Sequence, residues 1–260
     1  MRLKWYGTAT ILLEHDGTQL LFDPFFPLNE KAFRPPTDEF SEIANILVTH
    51  GHLDHISGIP DIMNQGDGRA VVHCTAKPQE VLISKGVEEA RIHEIKPGDV
   101  LCFDSFEVRV LKGKHIAFNK GLIARKLLNP RILTNWNSAR YLLKENKICT
   151  ESGETVIFDI SAADQRVLLL GSLNLDEQTE YPIGADLLIL PFQGRSDISK
   201  YALPFIERLQ PKKVLLDHFD DTFPPVSSEV RTGPFISLMR QEYPDVTVTC
   251  PRVGMEWILM

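Results

Sequence analysis

Thr49-His50-Gly51-His52-Leu53-Asp54-His55 places three imidazoles and a carboxylate within a few residues of one another, directly after the apolar run Ile46-Leu47-Val48. That run is short, β-branched and reads as a buried strand. In extended backbone, residues i and i+2 point to one side, so His50 and His52 project together. A turn then swings Asp54 and His55 into the same space. All four side chains suit zinc, manganese or iron. A lone histidine at a strand end is an ordinary polar residue. The whole pattern is not, since composition alone produces it in a chain of this size on the order of a few times in ten thousand.

Working outward, Leu3 to Leu13 alternates as a strand, Asp16-Gly17-Thr18 marks a turn, and Gln19 to Phe22 forms a second strand that Asp23-Pro24 stops. Residues 28 to 42 read as loop. Downstream, Ile56–Asn64 and Lys77–Lys85 read as helices, the second capped by Gly86. Ala70–His73 and Arg91–Ile95 read as strands, followed by a Val100–Phe103 and Phe106–Lys112 hairpin. In the second half, Ala139–Leu143, Thr155–Ile160, Arg166–Leu170, Asp186–Pro191, Val214–Leu216, Val246–Thr249 and Met255–Leu259 read as strands. Ile198–Leu209 and Gly233–Gln241 read as helices. Many strands with few helices give an α/β class (α+β type), a four-layer αββα sandwich of two mixed β-sheets flanked by helices. With no tandem repeat and no low-complexity linker, residues 1–260 are expected to form a single domain.

The composition, 43% hydrophobic and 24% charged, is that of a soluble globular chain. No stretch approaches the roughly 20 apolar residues of a membrane span. Met1 to Gly7 leads straight into a strand without an apolar signal core, so a cytoplasmic location is expected. The four cysteines, at 74, 102, 149 and 250, include no C-x-x-C pair. That argues against a disulfide framework or a thiolate zinc site, and for free thiols in a reducing compartment. A net charge of −7 gives nucleic acid no general attraction. The charge is uneven, however. Lys112 to Lys147 carries nine Lys or Arg against the single acid Glu145. Leu122–Leu128 has helical character, and residues 116–136 read as a basic insertion or lid. Its cations would suit a small anionic substrate.

Thr49 to His55 matches the T-H-x-H-x-D-H signature of the metallo-β-lactamase fold superfamily. Trp5-Tyr6-Gly7, Leu21-Phe22-Asp23-Pro24 and Lys96-Pro97-Gly98-Asp99 resemble the N-terminal half of that family, in the same order. Asp23-Pro24 and the stretch from His218-Phe219 to Phe223-Pro224 most resemble its metal-dependent hydrolase branch, which includes ascorbate-6-phosphate lactonase. The resemblance implies two metal sites. His50 and His52 would be completed by His115, and Asp54 and His55 by His218. One or two divalent ions are implied, Zn2+ foremost, with Mn2+ or Fe2+ also accepted. Asp23 would support a ligand from behind, and Asp54 and His218 would handle protons. The implied chemistry is a metal-activated water attacking an ester-like (lactone) or phosphoester bond. His15, His73 and His93 are expected to be structural, and Asp220 and Asp221 to be loop charges.

One residue departs from the family pattern. Gly171-Ser172-Leu173 stands where the family has Gly-Asp-Thr, so Ser172 replaces the carboxylate that bridges the two ions. Loss of that anion leaves one ion in the three-histidine set, or a substitute carboxylate such as Asp176, or two weakly held ions. It also keeps open a non-catalytic descendant that binds a metal or ligand. A nuclease or phosphodiesterase is a further alternative, and homo-oligomerisation is left open.

Overall fold

The computed structural model describes residues 1–36, 38–65, 68–117, 119 and 130–259. Strands β1 (Arg2–Gly7), β2 (Thr10–His15) and β3 (Thr18–Phe22) form an antiparallel meander. β4 (Asn45–Leu47), β5 (Val71–Cys74) and β6 (Ile92–Glu94) continue from β3 in parallel. The second sheet starts with the antiparallel run β7 (Val100–Phe103), β8 (Phe106–Lys112), β9 (Val156–Ala162) and β10 (Gln165–Leu170). It continues in parallel through β11 (Leu187–Pro191), β12 (Lys213–Asp217) and β13 (Thr247–Thr249). The last strand, β14 (Glu256–Ile258), returns to pair with β1. Among the described residues each sheet has seven strands.

Period-two alternation sorts the side chains into three apolar layers. Ile11, Leu13, Leu20 and Phe22 from the first sheet meet Val108, Phe158, Leu169 and Ile189 from the second, forming the central core. The intervening residues face outward. Leu12, Leu21, Ile46 and Val72 pack under α1 (Leu53–Ile56), α2 (Ile59–Gln65) and α3 (Ala76–Ser84). Leu168, Leu188, Leu190 and Leu216 pack under α6 (Ile198–Tyr201), α7 (Leu203–Leu209) and α8 (Gly233–Glu242). The four layers are therefore helix, sheet, sheet, helix.

Two local expectations change. The single strand expected over Leu3–Leu13 is two strands, turned at Gly7 (φ +105°) and Thr8 (φ +47°). The strand expected over Ala139–Leu143 is instead part of helix α5 (Trp136–Glu145), which follows the short α4 (Arg131–Thr134). Ala139, Leu142 and Glu145 form its buried face at helical spacing. Glu145 belongs there because Lys85, directly after α3, pairs with it across the layer. The helix expected over Leu122–Leu128 lies outside the described residues. No helix among the described residues is long and apolar enough to cross a membrane.

Candidate metal centre

The functional side chains leave the ends of β3, β4, β8, β10 and β12. Within each sheet these strands run the same way, so their following loops gather at one edge of the sandwich. The segment after β4, a loop that runs into α1, carries Thr49 to His55. It is tied to the second sheet, where Val156 N–H donates to Thr49 O at 2.9 Å. Close backbone approaches fix its course. A Cβ on Gly51 would sit 2.5 Å from Thr150 O, and one on Gly171 would sit 2.1 Å from Thr49 Cβ.

Two sets of ligand atoms form there. His50, His52 and His115 make one set, and Asp54, His55 and His218 the other, with the atoms of each set within 4.8 Å of one another. Both sets line one cavity of about 320 Å³. The structure thus brings together all six residues expected from the sequence.

Asp23 is fully buried behind the second set. Its Oδ1 accepts Thr49 N–H at 2.7 Å, and its Oδ2 accepts the Thr49 hydroxyl at 2.6 Å. His55 Nδ1 lies 2.8 Å from the same Oδ2. A carboxylate only accepts, so His55 carries its proton on Nδ1 and presents the Nε2 lone pair to the site. His115 is fixed in the same way, with Nδ1 3.0 Å from Ile116 O. Thr49, which sequence reading did not single out, links Asp23 to the His50 ring, whose Nδ1 lies 3.1 Å from its hydroxyl. Its place in the signature was the available signal.

Electrostatics follows from this crowding. Burial, then the neighbouring imidazoles, hold His50 well below the ordinary histidine range. Burial likewise lowers His52. Burial, then His52, holds His115 down to about 4. This set is therefore neutral, with its lone pairs available, as metal ligation requires. His50 Nε2 and His52 Nδ1 are 3.2 Å apart. Zinc–nitrogen bonds of about 2.0–2.1 Å put neighbouring nitrogens of a tetrahedral site about 3.4 Å apart, so the donor set fits a divalent ion.

Asp54 and His218 are coupled, with Oδ2 3.0 Å from Nε2. Burial pushes against both charges, but for Asp54 the neighbouring His55 and then the His218 hydrogen bond outweigh it, and for His218 the hydrogen bond and charge of Asp54 do. Asp54 sits below the usual carboxylate range, and His218 is raised to about 9. His218 adopts left-handed backbone (φ +59°), with its N–H donating to Thr8 O at 2.9 Å. That conformation is strained for a residue with a Cβ.

Other expectations are redirected. Asp220 is no mere loop charge, since both its oxygens accept Thr8 N–H, at 3.1 and 2.9 Å, and so anchor the His218 loop. Asp221 pairs with Arg131 at 2.6 Å. Asp176 turns to Lys112 at 2.9 Å and does not line the cavity, so it is no substitute bridge. Ser172 does line it, and its buried hydroxyl accepts Ile116 N–H at 3.0 Å. Asp217, also overlooked, is a buried carboxyl held well above its ordinary range by burial. No Lys or Arg appears among the described residues lining the cavity, and Lys120, Arg125 and Lys126, three of the cations expected to face it, lie outside the described residues. Phe118 and residues 120–129 of that stretch lie outside the described residues.

A two-sheet sandwich flanked by helices, with clustered histidines and aspartates at one edge, defines the class. Residues 2–218 match the beta-lactamase superfamily domain, and the chain belongs to that family. Among curated proteins it is similar to the UPF0173 metal-dependent hydrolase YtkL of Bacillus subtilis. The two are 25% identical over 229 residues, covering 88% of this chain and 89% of the relative. Among solved structures it resembles Igni18, a metallo hydrolase from Ignicoccus hospitalis (TM-score 0.65, 17% identity, covering 98% of this chain and 97% of the other). It also resembles an isothiocyanate hydrolase from Delia radicum gut bacteria (TM-score 0.64, 14% identity, covering 100% and 99%).

Proposed function

We propose that this protein is a metal-dependent hydrolase that uses water to cleave an ester-like or phosphoester bond of a small molecule. The ligands are His50, His52 and His115 in one set, and Asp54, His55 and His218 in the other. The observation that carries this is the convergence of both sets on one cavity. The name of the Bacillus subtilis relative points the same way. Imidazole and carboxylate donors favour Zn2+, with Mn2+ or Fe2+ as alternatives. Held by these residues, a divalent ion would supply Lewis acidity and would lower the pKa of water toward neutrality.

The protein's own groups do the rest. Asp23 and Ile116 O fix the tautomers of His55 and His115. With an ion in the three-histidine set alone, Asp54, hydrogen-bonded by His218, would accept a proton and His218 would return one to the leaving oxygen; with two ions both would be ligands. The three-histidine set is the tighter site. Ser172 supplies no charge between the two sets, which leaves Asp54 as the only carboxylate among the six ligands. Ser172 favours a second reading, a non-catalytic protein that binds a metal without turnover. The buried free thiols Cys74 and Cys149 suit a cytoplasmic setting. The central core draws on both halves of the chain, so residues 1–260 act as one domain.

Elemental analysis of the purified protein, followed by hydrolysis assays on lactones and on bis(p-nitrophenyl) phosphate with added Zn2+ or Mn2+, tests the proposal. About one equivalent of metal, lost in His50→Ala, together with turnover, is the expected result. Metal without turnover on either class supports the second reading. Absence of metal overturns both.

A further inference from the structure

Two histidines outside the cavity, His73 and His93, meet at the edge of the first sheet. β5 and β6 are its outermost strands beyond β4, and they run parallel with His73 opposite His93. Leu47 of β4 lies opposite His73 in turn and packs in the central core. Both imidazoles therefore point to the face that meets the second sheet. There Phe103 of β7 stands edge-on to His73, with ring centroids 5.3 Å apart. His73 is buried, whereas His93 is open to solvent.

Hydrogen bonds fix where the lone pairs point. His73 Nε2 lies 3.1 Å from Asn45 Oδ1, and a carbonyl oxygen only accepts, so His73 carries its proton on Nε2. Its Nδ1 is then a lone pair, and it faces His93 Nδ1 at 3.1 Å. Without an ion, a proton on His93 Nδ1 lies between the two. Burial, then the charge of His93, holds His73 down to about 4, so its lone pair stays free at neutral pH. Two nitrogens bound to one ion at about 2.0–2.1 Å stand about 2.9 Å apart at a right angle and about 3.4 Å apart at a tetrahedral one. The spacing here falls between these values. An ion can take the place of the shared proton once that proton moves to His93 Nε2.

We propose that His73 and His93 form a further metal site, separate from the cavity, that binds a first-row divalent ion such as Zn2+ through both Nδ1 atoms with water completing the shell. Imidazole pairs suit Zn2+ and Cu2+ and not the oxygen-seeking Mg2+. Among the described residues no third metal-competent side chain joins the pair, so it holds its ion more weakly than the three-histidine set. Asn45 acts from behind, keeping His73 in the tautomer that ligates. The ion ties β6, a three-residue strand at the sheet edge, to β5. None of this depends on what the cavity hydrolyses.

The test starts from protein loaded with Zn2+, dialysed free of unbound ion, and then titrated with Zn2+ by calorimetry. About one further equivalent is expected, with which Mg2+ does not compete. His93→Gln changes an exposed position and should weaken that equivalent about tenfold or more. Asn45→Ala removes no ligand and should also weaken it about tenfold or more. His15→Gln should leave it unchanged. The Zn2+ retained through dialysis should be the same in every variant, which reports that each remains folded. Without any substitution, the ring resonances of His73 and His93 should shift together as this equivalent fills. No further equivalent in the parent overturns the proposal, as do His73 resonances that stay in place. An equivalent that survives His93→Gln belongs to the Asp54, His55 and His218 set, and the proposal falls. One lost in His93→Gln but kept in Asn45→Ala is an ion on a lone surface histidine, and the built pair falls with it.

Discussion

Replacing Asp23 by asparagine probes how the ligand sets are held. Three donors converge on this buried carboxylate: the Thr49 N–H at 2.7 Å, the Thr49 hydroxyl at 2.6 Å and His55 Nδ1 at 2.8 Å. An amide keeps one acceptor oxygen and places an NH2 group at the other position. If the NH2 takes the Oδ1 position, it faces the Thr49 backbone N–H, and two donors oppose each other. A stranded buried donor costs about 1–3 kcal/mol. If the NH2 takes the Oδ2 position, His55 must accept at Nδ1, so its proton moves to Nε2 and points into the second set. Loss of such a supporting group lowers metal affinity about 10–100-fold, or about 1.4–2.7 kcal/mol. Urea unfolding of chelator-treated protein measures the first cost, and Zn2+ competition against a chromophoric chelator measures the second. Asp23→Asn is expected to lose on at least one measure and, through Thr49, on both. Metal affinity within about twofold of the parent, with stability within about 0.5 kcal/mol, would refute the reasoning, because no substitution of a three-donor acceptor should be silent.

Four further outcomes are expected. Gly171→Ala forces a methyl to 2.1 Å from Thr49 Cβ and should lower stability by about 3 kcal/mol or more, seen as a shifted urea midpoint; an unshifted midpoint counts against the close approach. Ser172→Asp restores an anion beside the ligand sets and should raise metal stoichiometry, measured by elemental analysis, toward about two per chain. Unchanged stoichiometry shows that Ser172 does not occupy a bridging position. Burial, then the charge of His93, holds His73 down to about 4 from 6.5. The unfolded chain therefore binds this proton more readily, and the stability involved is full above pH 6.5 and lost as pH falls toward 4. The difference between wild type and His73→Gln should change across that window by on the order of 3 kcal/mol, and a flat difference rejects the linkage. Because the central core is shared by both sheets, urea unfolding should follow one transition by tryptophan fluorescence and circular dichroism alike, whereas separated transitions would mean two units.

The histidine–aspartate run was legible because its meaning is local: strand, turn and ligand types lie within Thr49–His55. Most strands were legible for the same reason, since period-two burial in stretches such as β8 and β10 is written in consecutive residues. What escaped was set by distant partners. Helix α5 looked like a strand because Tyr141-Leu142-Leu143 is apolar, whereas the helix is settled by a buried Glu145 whose partner Lys85 lies 60 residues away. Asp220 and Asp176 carry no local sign of which bonds the backbone of Thr8 and which pairs with Lys112. Sequence displays the charges of Lys112, Lys114 and Arg131 without the acids that meet them. The expected sites at His115 and His218 came from family resemblance, and only the tertiary fold could bring them beside His50 and Asp54.

Each proposed ligand set is drawn from both sheets. His50 and His52 follow β4 in the first sheet, and His115 follows β8 in the second; Asp54 and His55 follow β4, and His218 follows β12. During synthesis, the first 114 residues hold four of the six ligands but complete neither set. The three-histidine set cannot close until β8 has emerged and docked, and the other waits for the far end of β12. On the proposed ligation, ion capture would be a late event in the life of the chain. It would act as a checkpoint on assembly, rewarding only molecules whose two halves have already met, and the ion's binding energy would then add to their resistance to coming apart.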